Sequence, residues 1–529
     1  MGQTIPYAPS TGKRKWGVLA VISFSLFMIL LDVTIVNIAL PHIGSELKVS
    51  LSSIEWVINA YVLVFAVLLL TLGKLGDLFG RRRLFVIGLV IFTLSSLGCS
   101  LSPNFSFLIL ARGIQAIGGA AMMPATLSIL NVEFGRSQRG LALGIWGAVA
   151  GAANALGPII GGALVDAFSW RYIFVINIPI GIFAIIATLA IVKESTDPRA
   201  DRHIDIPGVL LISVALFCLT FGLVEGQKYG WGSPTILSLF AVAAIGLIAF
   251  TFLELRVTSP LSNLRLFRHR TFAAGNIVAL VVMFGLLGVI FLVLLFLQIV
   301  LGFSAIKAGL SMLPLPLVII VVAPLAGRFT DRIGGRWILF AGTLLAALGI
   351  YLMSDLSAST TQTSLILPMA VCGAGMGMIM APVTTVVMAG TPVEQSGMGA
   401  GILSTIRQIG SVMGIAVLGA ILQNQLVNNI SGALAKLPQL PAGVKTQILN
   451  SVTSGSISSL GSSSLGGGSS YPPALAAQLK TVFETQFAAS LNTAMKVGIV
   501  FLLLGAVASL FISSHVRTKR AGESVDSQA

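Results

Sequence analysis

The chain has 529 residues, of which 56% are hydrophobic and only 9% are charged, and its formal net charge is +14. Soluble domains carry about 25% charged residues, so this composition excludes a soluble protein and predicts one embedded in a lipid bilayer. The positive charge does not indicate nucleic-acid binding, because positive loops are expected of any protein with several membrane spans. The three cysteines lie inside apolar runs without a CxxC pair, so we expect no metal and no cofactor.

Fourteen apolar runs of the chain are candidates for membrane spans. A helix needs about 20 apolar residues to cross the hydrocarbon core of a bilayer. Short loops separate most of the runs, which favours helices over the alternating strands of a barrel. We therefore expect an all-α membrane protein. The predicted spans are Gly17–Leu40, Ile54–Leu72, Leu84–Leu101, Phe107–Leu130, Leu141–Val165, Tyr172–Val192, Ile206–Val224, Pro234–Leu253, Phe272–Val300, Ala308–Gly327, Trp337–Met353, Leu365–Met388, Ala400–Leu422 and Val497–Ser514.

The positive residues predict how the chain is oriented. Most lysines and arginines lie in alternate loops, on the same side as Lys13, Arg14 and Lys15. Because positive loops remain in the cytoplasm, this pattern predicts a multi-pass protein of the cell membrane with both termini cytoplasmic. The first run is longer than the apolar core of a signal peptide, so we expect it to remain as a span.

An internal repeat predicts the arrangement of the spans. The segment Gly73–Arg83, between the second and third runs, has a weaker copy at Gly327–Arg336, between the tenth and eleventh runs, and the alignment places Asp77 on Asp331. An offset of eight spans predicts two equivalent six-helix bundles with two extra helices between them. The predicted segments are a cytoplasmic N-terminus (1–16), a first bundle (17–192), the extra helices with their loops (193–271), a second bundle (272–514) and a cytoplasmic tail (515–529).

One connection is long. The segment 423–496 is predicted to be an outer loop, because its central part is rich in serine and glycine and cannot bury enough apolar area to order itself. Apolar residues recur at three- and four-residue steps in Ala474–Asn492. This part is expected to be either an amphipathic helix at the membrane interface or an ordinary loop.

Several motifs in a fixed order carry a resemblance to a known family. They are Gly73, Gly76, Asp77, Gly80 and Arg81 in the repeat, Leu31–Pro41 in the first span, Arg112–Ala120 in the fourth, Gly147, Gly151, Gly157, Pro158, Gly161 and Gly162 in the fifth, and the stretches Ser169–Pro179 and Gly401–Gly410. Together they resemble the major facilitator superfamily, and within it the fourteen-span drug:proton antiporters. The resemblance covers nearly the whole chain and implies the major facilitator fold and proton-coupled export.

Asp32 is the leading candidate for a functional residue. It lies at or past the middle of the first span, where a carboxylate costs about 2.5–3.5 kcal/mol on insertion scales, so an apolar residue would fill the space more cheaply. Burial favours the neutral form of a carboxyl, so we expect Asp32 to couple protons by exchanging a proton for a cationic substrate. The alternative is an aspartate that only hydrogen-bonds a kinked helix.

Two further charged or polar positions lie deep in the apolar runs. Arg112 in the fourth span needs partners, such as backbone carbonyls, Gln115 or a carboxylate. The resemblance implies that Arg112 takes part in proton coupling, and a structural brace between helices is the alternative. Arg407 and Gln408 in the thirteenth span are candidates for binding substrate in a cavity, or for packing.

Aromatic residues could complete a substrate site. Trp56, Tyr61, Phe65 and Trp146 offer faces that attract a lipophilic cation. Aromatic residues in membrane helices also pack against neighbours or lie at the interface, and this alternative stays open.

The repeat segment is predicted to act as a gate. We expect Asp77 to lie at the positive end of a neighbouring helix, and the thirteenth span, which begins near Gly399, is our candidate. The other residues of the predicted gate are Gly73, Gly76, Gly80, Arg81 and Asp331. The alternative is a loop that only fixes topology.

The glycines of the fifth span place small residues along one helix, where they let backbones approach closely, and Pro158 permits a bend. The predicted role is a seal between the two halves of the protein that prevents proton leak. Ordinary close packing is the alternative.

The leading hypothesis is a proton-coupled antiporter that exports amphipathic, cationic drugs or toxic compounds by alternating access. The runner-up is an exporter of a specific endogenous metabolite, peptide or lipid by the same fold. No Walker loop, HExxH motif or catalytic triad is found in the sequence, which argues against an ATP-driven pump and against an enzyme. The expected partners are a small-molecule substrate, protons and lipid, with a periplasmic adaptor only if the host has an outer membrane.

Overall fold

The computed structural model describes residues 12–49, 51–135, 138–196, 205–257, 260–354, 356–435, 445–446 and 473–513. The long helices are α1 (Arg14–Leu47), α2 (Trp56–Phe79), α3 (Arg81–Ser100), α4 (Phe105–Glu133), α5 (Arg139–Ala167), α6 (Tyr172–Ile191), α7 (Ile206–Tyr229), α8 (Pro234–Arg256), α9 (Arg270–Ile299), α10 (Pro314–Ile333), α11 (Arg336–Leu352), α12 (Ile366–Ala389), α13 (Ser396–Ala435) and α14 (Pro473–Ser509). The predicted tail 515–529 and most of the predicted N-terminal segment lie outside the described residues.

These helices confirm the predicted all-α membrane fold. Within the described part of the chain, thirteen helices are long and apolar enough to cross a bilayer, and α11 is a shorter apolar helix of 17 residues. Each of the fourteen predicted runs overlaps one of the fourteen long helices.

Local sequence explains where several of the helices begin and end. Side chains of Asn104, Asp205 and Ser233 accept backbone N–H groups at the first turns of α4, α7 and α8. Gly80 ends α2 at φ +113° and Gly334 ends α10 at φ +83°. A positive φ favours glycine because a Cβ is strained there. The same backbone conformation therefore explains why glycine occupies the equivalent position in both copies of the repeat.

The packing divides the helices into three groups. Helices α1–α6 pack against one another, as do α9–α14, and the two groups meet along α2 with α13 and along α5 with α10. Helix α7 lies beside α2 and α13, while α8 packs on α7 and leaves large apolar side chains such as Ile245 exposed to the surroundings. In this arrangement, the helix in which each copy of the repeat segment begins, α2 or α10, packs against a helix of the other half of the protein.

The segment 423–496 differs from the predicted outer loop. Helix α13 continues to Ala435, and α14 begins at Pro473 and runs without a break into the last span. The spaced apolar residues Leu479, Phe483 and Phe487 are buried inside the protein, so the expected helix is present but does not lie at the interface. The serine- and glycine-rich centre of the segment lies outside the described residues. The helix extensions form because the apolar stripe of α14 packs against that of α13.

Candidate functional site

Asp32 lies in a buried polar cluster between α1, α3, α4 and α6. Its side chain and that of Arg112 are each at most 1% exposed, and Arg112 Nη1 lies 2.6 Å from Asp32 Oδ2. The other carboxylate oxygen accepts hydrogen bonds from Gln115 Nε2 at 2.9 Å and from Asn177 Nδ2 at 2.8 Å. Ser96 Oγ accepts a further hydrogen bond from Gln115 Nε2 at 2.7 Å. The carboxylate therefore faces donors from two other helices, α4 and α6, and does not face lipid.

Arg112 has partners on every side. Its Nε donates to the backbone carbonyl of Val57 at 3.1 Å, and its Nη1 also donates to Gln115 Oε1 at 2.6 Å. The guanidinium carbon lies 4.5 Å from the centre of the Tyr61 ring, a distance at which a cation is attracted to the aromatic face. The carboxylate, the carbonyl and Gln115 are the partner types that the sequence predicted for this arginine.

Sequence reasoning missed two members of the cluster, Ser96 and Asn177. Ser96 is one of several serines in α3, and nothing in its spacing distinguishes it from serines that bond their own helix backbone. Asn177 stands in the stretch Ser169–Pro179 that resembles the family, but its position facing Asp32 depends on how α6 packs on α1. A buried asparagine needs hydrogen-bond partners, so its place inside an apolar run was the only available signal.

Asp77 lies at the N-terminus of α13, as predicted. Its oxygens accept the backbone N–H groups of Gly397 and Met398, each at 2.8 Å, where the helix dipole favours negative charge. Arg81 Nη2 lies 2.7 Å from the same carboxylate and also donates to the carbonyls of Val393 at 2.9 Å and Glu394 at 2.7 Å. We call this set of contacts the first latch, because it joins α2 to α13 across the two halves of the protein.

Asp331 makes the equivalent contact in the second copy of the repeat. Its carboxylate accepts the backbone N–H of Gly140 at 2.7 Å and of Leu141 at 3.1 Å, at the N-terminus of α5. We call this contact the second latch. The residue aligned with Arg81 is Gly335, so the second latch lacks the arginine that completes the first. Both latches lie at the same end of the helices, which the positive loops predict to be cytoplasmic.

Glu194 supports the first latch and was not predicted from sequence. Its carboxylate accepts the backbone N–H groups of Arg82 and Arg83 at the start of α3, each at 3.1 Å. A Cβ on Gly80 would lie 2.6 Å from this carboxylate. Gly80 is therefore required for close approach as well as for its positive φ.

The glycines of the repeat have different surroundings, and this allows a matched prediction. A Cβ on Gly73 would lie 2.5 Å from the carbonyl oxygen of Gly397 and 2.9 Å from the Cα of Gly401, whereas a Cβ on Gly76 would meet only Leu84 at 3.4 Å. We expect Gly73→Ala to push α2 away from α13 and lower the Tm in detergent by several degrees. Gly76→Ala should have a Tm close to that of the wild type, and equal losses in both variants would contradict this view of the contact.

The small residues of α5 face two different helices. A Cβ on Gly147 would meet Ala323 and one on Gly151 would meet Ile319, both of α10. Gly157 and Gly161 face Thr34 and Ile35 of α1. At the far end, Gly162 lies against Ile306, and Gly309 lies against Pro158. The helix thus packs closely on both halves of the protein, as the predicted seal requires.

The other predicted site residues lie in several places. The Tyr61 and Phe65 rings stack with centroids 5.6 Å apart, Trp56 lies 6.1 Å from Phe221 of α7, and Trp146 is buried in α5. In α13, Arg407 Nη2 donates to Thr384 Oγ1 at 2.6 Å and to the Met380 carbonyl at 3.2 Å, and Gln408 is half-buried. Among the described residues, Tyr61 contacts the Asp32 cluster through Arg112, whereas Arg407 bonds within the second half.

An all-helical membrane protein with an ion pair buried between its spans, and with two halves joined by related contacts, has the construction of a transporter. Comparison with known proteins agrees, because the model of the Major Facilitator Superfamily matches residues 22–415, and the chain belongs to this superfamily. This confirms the predicted transporter and excludes the enzyme alternative.

Three relatives within the superfamily are similar in sequence to this chain. A tetracenomycin C resistance and export protein of Streptomyces glaucescens is 33% identical, over 98% of this chain and 96% of that protein. The multidrug resistance protein Stp of Mycobacterium tuberculosis is 38% identical, over 75% of this chain and 74% of that protein. The riboflavin transporter RibZ of Clostridioides difficile is 35% identical, over 79% of this chain and 90% of that protein.

Proposed function

We propose that the protein is a proton-coupled antiporter of the cell membrane, which exports amphipathic, cationic compounds by alternating access. The buried Asp32–Arg112 pair carries this proposal, because ionisable groups inside membrane spans are costly and mark ion or substrate pathways. The relatives named for drug resistance and export support the export of toxic compounds. The positive loops support a cytoplasmic position of both termini.

The geometry of the cluster supplies a reason for coupling. Proton binding to Asp32 would remove the charge that pairs with Arg112 and leave the guanidinium buried and unpaired. Loss of one partner of a buried ion pair costs about 3–5 kcal/mol. The protonated state is therefore expected to need a different packing of α1 on α4, which joins proton binding to a change of conformation.

The two latches are the contacts that this change of conformation would have to break. Both lie at the predicted cytoplasmic end, and both join the first half of the protein to the second. To open that end, the carboxylates of Asp77 and Asp331 must leave the helix N-termini of α13 and α5. The close packing of α5 on both halves would limit proton leak during the movement.

Buried hydrogen-bond donors support an amphipathic cargo. Tyr61 Oη, Trp146 Nε1 and Arg407 Nε are buried and have no hydrogen-bond partner among the described residues. An unsatisfied buried donor costs about 1–3 kcal/mol, so a cargo with polar acceptors and an apolar body would be favoured there. Because both oxygens of Asp32 are occupied in this conformation, a cationic cargo would bind beside Asp32 only after Arg112 has moved.

Transport into proteoliposomes tests the proposal. Vesicles with an acidic interior should accumulate ethidium, a lipophilic cation, and a protonophore should abolish the accumulation. Empty vesicles give the background. Accumulation that persists without a pH gradient would refute proton coupling.

The second candidate is an exporter of one endogenous metabolite, peptide or lipid, and the riboflavin transporter among the relatives favours keeping it. A panel of lipophilic cations, neutral drugs and flavins in the same vesicles distinguishes the two. Transport of a single neutral compound, with no transport of cations, would favour the second candidate.

A further inference from the structure

Two acids, the half-buried Asp205 and the buried Glu254, lie at the predicted cytoplasmic ends of the extra helices, apart from the Asp32 cluster and the latches. Asp205 precedes the first turn of α7, where its Oδ1 accepts the N–H of Gly208 at 2.9 Å. Glu254 lies in the last turn of α8 and is 4% exposed. Its Oε2 accepts the N–H of Ser262 at 3.0 Å.

Each of these two carboxylates leaves one oxygen unsatisfied. Asp205 Oδ2 and Glu254 Oε1 are both shielded from solvent, and neither has a hydrogen-bond partner within the part of the chain that the structure describes. A Cβ built on Gly208 would lie within 3.1 Å of both oxygens, so the two oxygens border the same position. Two carboxylates that share such a site cannot both ionise without strong repulsion, so the pair requires a positive occupant.

The surrounding charges indicate that this occupant is one proton. Among the described residues, the charged groups whose fields act on Glu254 are Asp205, just before α7, and Lys74 of α2. One lysine balances only one of the two carboxylates, and one proton balances the other. The O–H of the neutral carboxyl would donate to the unsatisfied oxygen of its neighbour, which leaves both buried oxygens partnered.

We propose that Asp205 and Glu254 form a proton-binding pair, which holds one proton between Asp205 Oδ2 and Glu254 Oε1. Gly208 is glycine because a side chain there would separate the two acids. This inference goes beyond the proposed export function and does not depend on it, because it is argued from the geometry of the pair and from the charge of Lys74.

The loop after α8 connects this pair to the first latch. Next to Ser262, Asn263 donates its backbone N–H to Met398 Sδ at 3.0 Å and its side-chain amide to Gln395 Oε1 at 3.4 Å. Met398 in turn donates its own N–H to Asp77. Loss of the shared proton makes the two acids repel, displaces this loop and weakens the seat of Asp77 on α13. The pair thus makes the first latch sensitive to pH on its own side of the membrane.

Infrared difference spectroscopy of the purified full-length protein tests the pair without any measurement of transport. Between acidic and alkaline buffers, the wild type should lose a neutral-carboxyl C=O component that is absent from Glu254→Gln. The glutamine still accepts from Ser262 and donates to Asp205, so the variant is expected to fold. In Asp205→Asn the component should disappear at a lower pH, because the neighbouring charge is gone. Glu225→Gln removes another buried carboxyl of α7, at its opposite end, and should leave this component unchanged.

Two results would overturn the proposal. One is a Glu254→Gln spectrum identical to that of the wild type, which would mean that Glu254 holds no titrating proton. The other is a carboxylate signal of the pair that responds to added Na⁺ or Ca²⁺ rather than to pH, which would identify a metal cation as the occupant.

Hydrogen–deuterium exchange tests the connection to the first latch. At alkaline pH, the Gly397 and Met398 amides should exchange faster in the wild type than in Glu254→Gln, because only the wild-type pair becomes doubly charged. Equal exchange in the two proteins at that pH would show that the pair does not act on the latch.

Discussion

Asp32→Asn is expected to reduce proton-driven accumulation of cargo to the level of empty vesicles. An amide does not bind a proton in the working pH range, so the variant cannot exchange one for cargo. The asparagine is close in size to aspartate and keeps an oxygen for Gln115 and Asn177. Uptake of ethidium into vesicles with an acidic interior measures the loss, and undiminished uptake would contradict the role of Asp32.

A double variant separates coupling from folding in this experiment. Asp32→Asn alone leaves Arg112 buried without its carboxylate, which is expected to cost about 3–5 kcal/mol of stability and to lower the Tm. Removing both charges, as Asp32→Asn with Arg112→Gln, should recover most of the Tm but none of the proton-driven transport. Recovery of transport together with stability would show that the pair is only a structural brace.

Charge reversal in the first latch, as Asp77→Lys, is expected to slow turnover by more than tenfold. The lysine would face the positive end of α13 and the guanidinium of Arg81, so the closed arrangement of this end would lose its attraction and gain repulsion. The affinity for cargo should change much less, because the latch lies at the end of the helices. Initial rates of vesicle transport, together with ethidium binding in detergent, measure the two quantities separately.

The second latch serves as a control for the first, because the same substitution can be made at the equivalent aspartate of each. Asp77→Asn and Asp331→Asn remove one charge from equivalent positions, but the first also leaves the buried Arg81 without its anion. Hydrogen bonds to charged groups contribute about 1.5–3 kcal/mol, and the unpaired arginine adds a further cost in the first latch. We therefore expect Asp77→Asn to have the larger effect on turnover. Equal effects would mean that Arg81 adds nothing to the closed state, and unchanged turnover in both would refute the gate.

Much of this arrangement could be predicted from the sequence, because the hydrocarbon core imposes simple rules. Long apolar runs have to be helices, so the fourteen runs located the helices. Asp77 could be predicted to lie near the start of α13, because a carboxylate is stabilised where the unpaired N–H groups of a helix N-terminus point at it. Asp32 and Arg112 were conspicuous because charges are rare in such surroundings.

The remaining features depend on packing that no local pattern reports. Ser96 and Asn177 are small polar residues, and only the positions of α3 and α6 bring them to the cluster around Asp32, Ser96 through Gln115 and Asn177 directly. The segment that contains the extension of α14 is predicted to be an outer loop because its centre is rich in serine and glycine, whereas the apolar stripe of the extension packs on the rest of the protein. Asp205 and Glu254 lie at helix ends, where the sequence does not indicate that Glu254 is buried or that it faces Asp205.

In the proposed exchange, Asp32 gives up its proton when cargo binds. The most direct measurement adds ethidium to the purified protein in weakly buffered detergent solution and records the pH. The wild type should show a net release of protons, and Asp32→Asn should release none. Cargo binding by the wild type without proton release, or equal release by the variant, would contradict the proposed exchange.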